Sequence, residues 1–170
     1  MNLLLVALRL AHVVLGALWV GMIVFTAIFL TPAIQEAGPD GAKVMAALQR
    51  RGIMTVLPIF AFGTLISGIW LYWRVSGGFQ AGYLTSPAGL AFGLGGVAAV
   101  AAYAIGLTVM RPAMLRAVAL GQAPVPATPE EGARRAAEIQ RLRARGTGAG
   151  RWVAELLVAA VAAMAIARYL

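Results

Sequence analysis

The chain lacks cysteine altogether, and in 170 residues it has one histidine and six acidic side chains. Without cysteine there are no disulfides, thiolate metal sites, iron-sulfur clusters or CxxCH haem attachments. With His12 as the sole histidine and no carboxylate near its depth, a Ser-His-Asp set cannot be assembled. A hydrolytic metal centre would lack donors for the same reason. Charge is scarce too: 12% of residues are charged, where an ordinary soluble domain carries about 25%. Nor is there a nucleotide fingerprint, because "GLGGVAA" lies inside an apolar run instead of between a strand and a helix.

What is abundant is apolar surface. The chain is 61% hydrophobic, with a mean hydropathy of +0.85, which makes it an integral membrane protein. Four runs that each need about 20 residues to cross a bilayer leave only loops and one polar segment, too little for a separate soluble catalytic domain. The net charge of +8 sits mostly in loops beside these runs. There, arginine meets anionic lipid, so membrane lipids are the expected partners and nucleic acid is not.

The first run covers about 3–34, interrupted by Arg9 and His12 and closed by Pro32. It is too long for a signal-peptide core and starts without basic residues, so it reads as a retained span. After the loop "QEAGPDGAKVMAALQRRG" the second span covers about 53–73, with Pro58, Gly63 and Gly68 inside it. Neighbouring helices can absorb such irregularity. "WLYWR" and the loop "SGGFQAGYLTSPAG" then supply Trp70, Tyr72, Trp73, Phe79 and Tyr83, an aromatic belt. The third span, about 90–110, is rich in small residues at four-residue spacing, which lets helix backbones approach closely.

The stretch "TPEEGARRAAEIQRLRARG" predicts an amphipathic surface helix over about 129–145, lying on the headgroups. Thr128 is its N-cap, Glu131 completes a capping box, and Gly146 ends it. Glu130 with Arg134 and Glu131 with Arg135 stand at i, i+4. The fourth span covers about 152–166, with Glu155, Ala159, Ala163 and Ala167 on the face expected to pack inward, and Glu155 in reach of Arg151.

These spans predict a single all-α domain, 1–170: an integral membrane antiparallel four-helix bundle with one amphipathic cytoplasmic surface helix. Arginine and lysine concentrate in loops 35–52 and 111–151. The positive-inside rule makes those loops cytoplasmic and both termini external, in an inner (plasma) membrane. His12 then lies in the outer half of the bilayer, about one helical turn below Arg9.

An ionisable group within a span is a functional hypothesis by default. His12, Gly16 and Trp19 share one helical face, so the imidazole would point past a small residue that leaves room for a flat group. Haem b is the candidate cofactor, with His12 as axial metal ligand and Arg9, Arg74 and Arg168 at the depth of its propionates. The simpler alternative is that His12 hydrogen-bonds a carbonyl or hydroxyl on a neighbouring helix while the three arginines snorkel to the headgroups. A third reading takes Met54, Met110 and Met114 as soft ligands for Cu(I), although methionine is also a common core filler.

"LRLAHVVLGALWVGMIVF" with "FLTPAI" and "LPIFAFGTLISGIWLYWRVSGG" resembles, over about residues 5–75, a broad group of small bacterial membrane proteins. The group comprises the membrane domain of copper-resistance D-type proteins, a related uncharacterised integral-membrane family and the haem-dependent membrane protoporphyrinogen oxidases. The resemblance implies that His12 matches the first-span haem ligand of the oxidases. That branch also carries a lysine near the start of the third span, where this chain reads "YLTSPAGLAFG" and its only lysine is Lys43. The likeness therefore implies the uncharacterised branch. The expected function is a small non-catalytic accessory subunit or a binder of a hydrophobic cofactor at His12, within a larger membrane complex or a homo-oligomer. A haem b redox protein or oxidase and a copper-handling protein are the alternatives.

Overall fold

The computed structural model describes residues 3–170, and they are almost entirely helical with no strand. Helix α1 (Leu3–Phe25) runs through a π-turn (Thr26–Leu30) into α2 (Thr31–Glu36). Next come α3 (Pro39–Arg50), α4 (Ile53–Val75), the short α5 (Ala81–Leu84) and α6 (Pro87–Ile105). A second π-turn (Gly106–Met110) leads into α7 (Arg111–Gln122), and α8 (Pro129–Ile166) ends in a 3₁₀ turn (Ala167–Tyr169). Four of the resulting rods are long and apolar enough to cross a membrane: Leu3–Glu36, Ile53–Val75, Pro87–Gln122 and Pro129–Tyr169. The protein is a multi-pass membrane protein built as an antiparallel four-helix bundle.

Pro32 does not close the first span, and Pro112 does not close the third. Proline lacks an N–H and its ring crowds the carbonyl four residues back, which ordinarily breaks a helix. Here each proline follows a five-residue π-turn, in which Thr31 N–H donates to Thr26 O and Arg111 N–H to Gly106 O. The wider turn takes up the irregularity, and the rods continue to Glu36 and Gln122.

The bundle consists of two close pairs, α1 with α4 and α6 with α8, which meet through α4–α6 and α1–α8 contacts. Its centre is formed by Trp19 and Ile23 of α1, Leu57 and Ala61 of α4, Ala99 and Ala102 of α6, and Val153, Leu157 and Ala160 of α8. Trp19 meets Tyr103 of α6 edge-on at 6.4 Å, so the first and third rods touch across the middle. At the aromatic end, Tyr72 O–H donates to Gly89 O at 2.8 Å and tethers α4 to the start of α6, whose N-cap is Ser86.

The surface helix over 129–145 and the fourth span over 152–166 are one continuous helix, α8, of 38 residues. The Thr128 cap holds: its Oγ1 accepts from Glu131 N–H at 3.2 Å, while the Glu131 carboxylate accepts from Ala127 N–H at 3.0 Å. Gly146, however, is no terminator. It is buried against Met114, whose Cε would sit 3.0 Å from an added Cβ, and Gly150 faces the Met110 sulfur in the same way at 3.5 Å. These glycines are close-approach points of α8 to α7 and to the π-turn before it, which keeps the helix going. The apolar side of the 129–145 segment therefore turns to α7 and not to lipid, with Leu142 buried against Ala113 and Ala117.

The same register rotates the fourth span. Its inner face carries Val153, Leu157, Ala160 and Ala167, whereas Glu155 and Ala159 are exposed. Among the described residues no ion pair joins Glu155 to Arg151, nor Glu130 and Glu131 to Arg134 and Arg135. Arg135 donates instead to the carbonyls of Ala123 and Pro124, tying the turn to the helix, and the pair that does form is Arg141 with Glu138 at 2.9 Å.

Candidate functional site

The stretch "GTLISG", Gly63 to Gly68, positions the groups that hydrogen-bond His12 and the glycine its ring approaches. On α4, Thr64, Ser67 and Gly68 stand at i, i+3 and i+4, so one stripe of the helix presents two hydroxyls and a gap. Thr64 Oγ1 donates back to Phe60 O at 2.7 Å, and Ser67 Oγ donates to Gly63 O at 2.6 Å and Thr64 O at 3.1 Å. Both hydroxyl protons therefore stay within α4.

His12 Nδ1 lies 2.9 Å from the Thr64 carbonyl oxygen and 3.4 Å from Ser67 Oγ. A carbonyl can only accept, and the Ser67 proton is directed at Gly63, so Nδ1 must be the protonated nitrogen. In the neutral ring the lone pair then belongs to Nε2, for which no protein hydrogen-bond partner is found among the described residues. The ring fits because residue 68 is glycine: an added Cβ would stand 2.8 Å from His12 Cε1 and 3.1 Å from Nδ1.

The expected neighbours of His12 are distributed differently. Gly16 leaves no flat slot, since its face is covered by Thr64 Cγ2 at 3.4 Å from an added Cβ. Trp19 is 4% exposed and belongs to the bundle centre. Arg9, Arg74 and Arg168 are all exposed at the aromatic end. Among the described residues none of them bonds to His12, and the Arg168 guanidinium lies 4.7 Å above the Tyr169 ring. The residues that do meet the imidazole, Thr64, Ser67 and Gly68, carried a visible signal: two hydroxyls and a glycine on one face of an otherwise apolar run.

The three methionines do not converge. Met54 and Met110 line a cavity of about 40 Å³ with Trp19, Tyr103 and Arg111, while Met114 belongs to a separate space. Arg111 Nε donates to the Met54 carbonyl at 3.2 Å, and a permanent cation lining the same cavity as the two methionines works against a bound Cu(I). Among the described residues no group of three or more His, Cys, Asp or Glu side chains comes together. The chemistry available at His12 is thus that of one oriented imidazole nitrogen.

Comparison with family models, with curated proteins and with solved structures finds no match for this chain.

Proposed function

We propose that the protein is a non-catalytic membrane subunit that presents His12 Nε2 as a single ligand to a hydrophobic cofactor, haem b being the group whose chemistry fits. The observation that carries this reading is the Nδ1–H to Thr64 carbonyl bond at 2.9 Å. Ligating histidines commonly donate their second N–H to a carbonyl, which fixes the tautomer and raises the basicity of the ligating nitrogen. The donor fits the iron of a haem. Arg9, Arg74 and Arg168, exposed at the same end, are the groups on this chain suited to pair with its carboxylates. When bound, the cofactor would supply electron transfer or gas binding, and this chain would orient it and exclude water on one face. The sole histidine cannot furnish a second imidazole, so that ligand falls to another subunit or a second copy. The likeness of residues 5–75 to a group whose oxidase members ligate haem through a first-span histidine supports the same reading. The arginine distribution supports an orientation with both termini and His12 toward the external face of a bacterial inner membrane.

The test is an absorption spectrum of the detergent-purified protein, expressed with haem supplied, before and after dithionite. A Soret band that disappears in His12→Ala is expected. Absence of the band in the wild type would overturn the proposal. A second reading is favoured by the same bond: His12 serves only as a polar fastening between α1 and α4. It predicts no band in either protein and a lower unfolding midpoint for His12→Ala.

A further inference from the structure

Beyond Ile34 and Met110, where the rods leave their apolar zone, the α2–α3 hook stands apart from the α7–α8 hairpin, and a cavity of about 750 Å³ separates them. It lies at the basic end, far from His12, and is independent of whatever His12 binds. Its size is within the roughly 300–1,000 Å³ typical of ligand pockets.

Three features of its walls agree on one kind of occupant. The charged side chains that line it are Lys43 of α3 and Arg143 of α8, with no carboxylate. Lys43 is already held by Asp40 at 2.7 Å in an exposed pair. Arg143 has no ion-pair or hydrogen-bond partner among the described residues. Next, Gln49 of α3 lines the cavity, and its amide Nε2 is buried without a hydrogen-bond acceptor. A buried donor with no acceptor is unfavourable, and a turn of the Gln49 side chain toward an acceptor in the cavity would relieve it. Finally, Ile34, Met114 and Val118 line the same space, and they extend the apolar surfaces of the first and third rods into it.

We propose that this cavity binds an anionic phospholipid. Its phosphate is held by the Arg143 guanidinium and the Gln49 amide, and its chain lies against Ile34, Met114 and Val118. A guanidinium and an amide both donate to phosphate oxygens, and neither has a competing acid on the cavity wall. A zwitterionic lipid offers the same phosphate but brings its own cation toward Lys43 and Arg143, so the site discriminates by headgroup charge. A free phosphate ester satisfies the polar half only and leaves the apolar wall in water.

The experiment follows the thermal unfolding midpoint of the full chain in a neutral detergent. Phosphatidylglycerol, phosphatidylcholine and soluble glycerol phosphate are titrated in parallel. A saturable rise with phosphatidylglycerol alone is expected. Arg143→Gln and Gln49→Leu should each raise the half-saturating concentration about tenfold, the loss of one such hydrogen bond. Arg134→Gln removes the same charge from the exposed side of α8, outside the cavity, and should change nothing. Equal rises with phosphatidylcholine overturn the charge discrimination, and an equal rise with glycerol phosphate overturns the lipid as ligand. Equal losses in Arg134→Gln and Arg143→Gln overturn the cavity as the site. If Arg143→Gln does not fold, Gln49→Leu decides alone: unchanged half-saturation overturns the proposal.

Discussion

The two helix pairs solve one problem in different ways. In lipid there is no hydrophobic force to bring helices together, so association rests on close packing and on interhelical hydrogen bonds. The α6–α8 pair uses packing alone: Ala91, Gly95, Ala99 and Ala102 are buried along α6, and an added Cβ on Gly95 would meet Met164 Cγ at 3.0 Å and Ala160 O at 3.1 Å. Among the described residues no side-chain hydrogen bond joins these two helices. The α1–α4 pair also brings glycines into the contact, with Leu15 Cδ1 only 2.7 Å from a Cβ on Gly63, but it adds the His12 bond to Thr64. That bond gives α1–α4 a polar fastening between helices that α6–α8 lacks.

The comparison breaks first at Gly95. A leucine there presses on a backbone carbonyl that cannot move without the whole of α8, so Gly95→Leu should destabilise the bundle by about 3 kcal/mol, at the upper end of overpacking costs. Gly96 is next to it on α6 with nothing within 4 Å of an added Cβ, and Gly96→Leu should leave the denaturation midpoint in detergent almost unchanged. Similar losses at both positions would mean that α6 does not pack in this register.

The corresponding test of α1–α4 is Gly68→Ala, where the obstacle is the imidazole ring at 2.8 Å. A side chain yields more readily than backbone, so a cost of about 1–2 kcal/mol is expected. In a His12→Ala background the same alanine should cost little, giving a coupling of about 1 kcal/mol in a double-mutant cycle. Additive losses would show that the ring does not rest on residue 68. Ser67→Ala is smaller again. Its hydroxyl donates within α4 at 2.6 Å and only approaches Nδ1 at 3.4 Å, so the change in unfolding free energy should stay below the average of about 0.6 kcal/mol for interhelical bonds in membranes.

Composition and period were enough to read the four rods, because runs of apolar residues have few other ways to satisfy their backbone in lipid. Glycine was harder to read. Gly146 has the position of a helix stop, yet Met114 packs on it; whether a glycine ends a helix or admits a neighbour depends on a partner more than thirty residues distant in sequence. Pro32 misled for a related reason, since a π-turn leaves no mark of its own in the residue pattern. At the site, His12 itself was legible as the lone imidazole in a span. Its contacts were not, because helical periodicity names the face of α1 but not the register of α4 against it. Gly16 and Gly68 are equivalent candidates until that register is known.

The smallest effect expected concerns the hairpin outside the apolar zone, where neither glycine packing nor a buried imidazole operates. Glu138 accepts a hydrogen bond from Arg141, and this, with the nearby charges of Arg141 and Arg116, holds its carboxyl below the ordinary carboxylate value. A lowered value in the folded chain means that the pair stabilises above the unfolded carboxylate's pKa and that this contribution is lost as pH falls through the folded one. The unfolding midpoint of Glu138→Gln should therefore lie slightly below wild type at neutral pH, and the two should converge in acid. Because the pair is open to water, added salt should also narrow the gap. A gap that persists in acid would assign the role of Glu138 to packing of its side chain against the hairpin. The α7–α8 contact would then resemble α6–α8 throughout its length, with charge contributing nothing to its order.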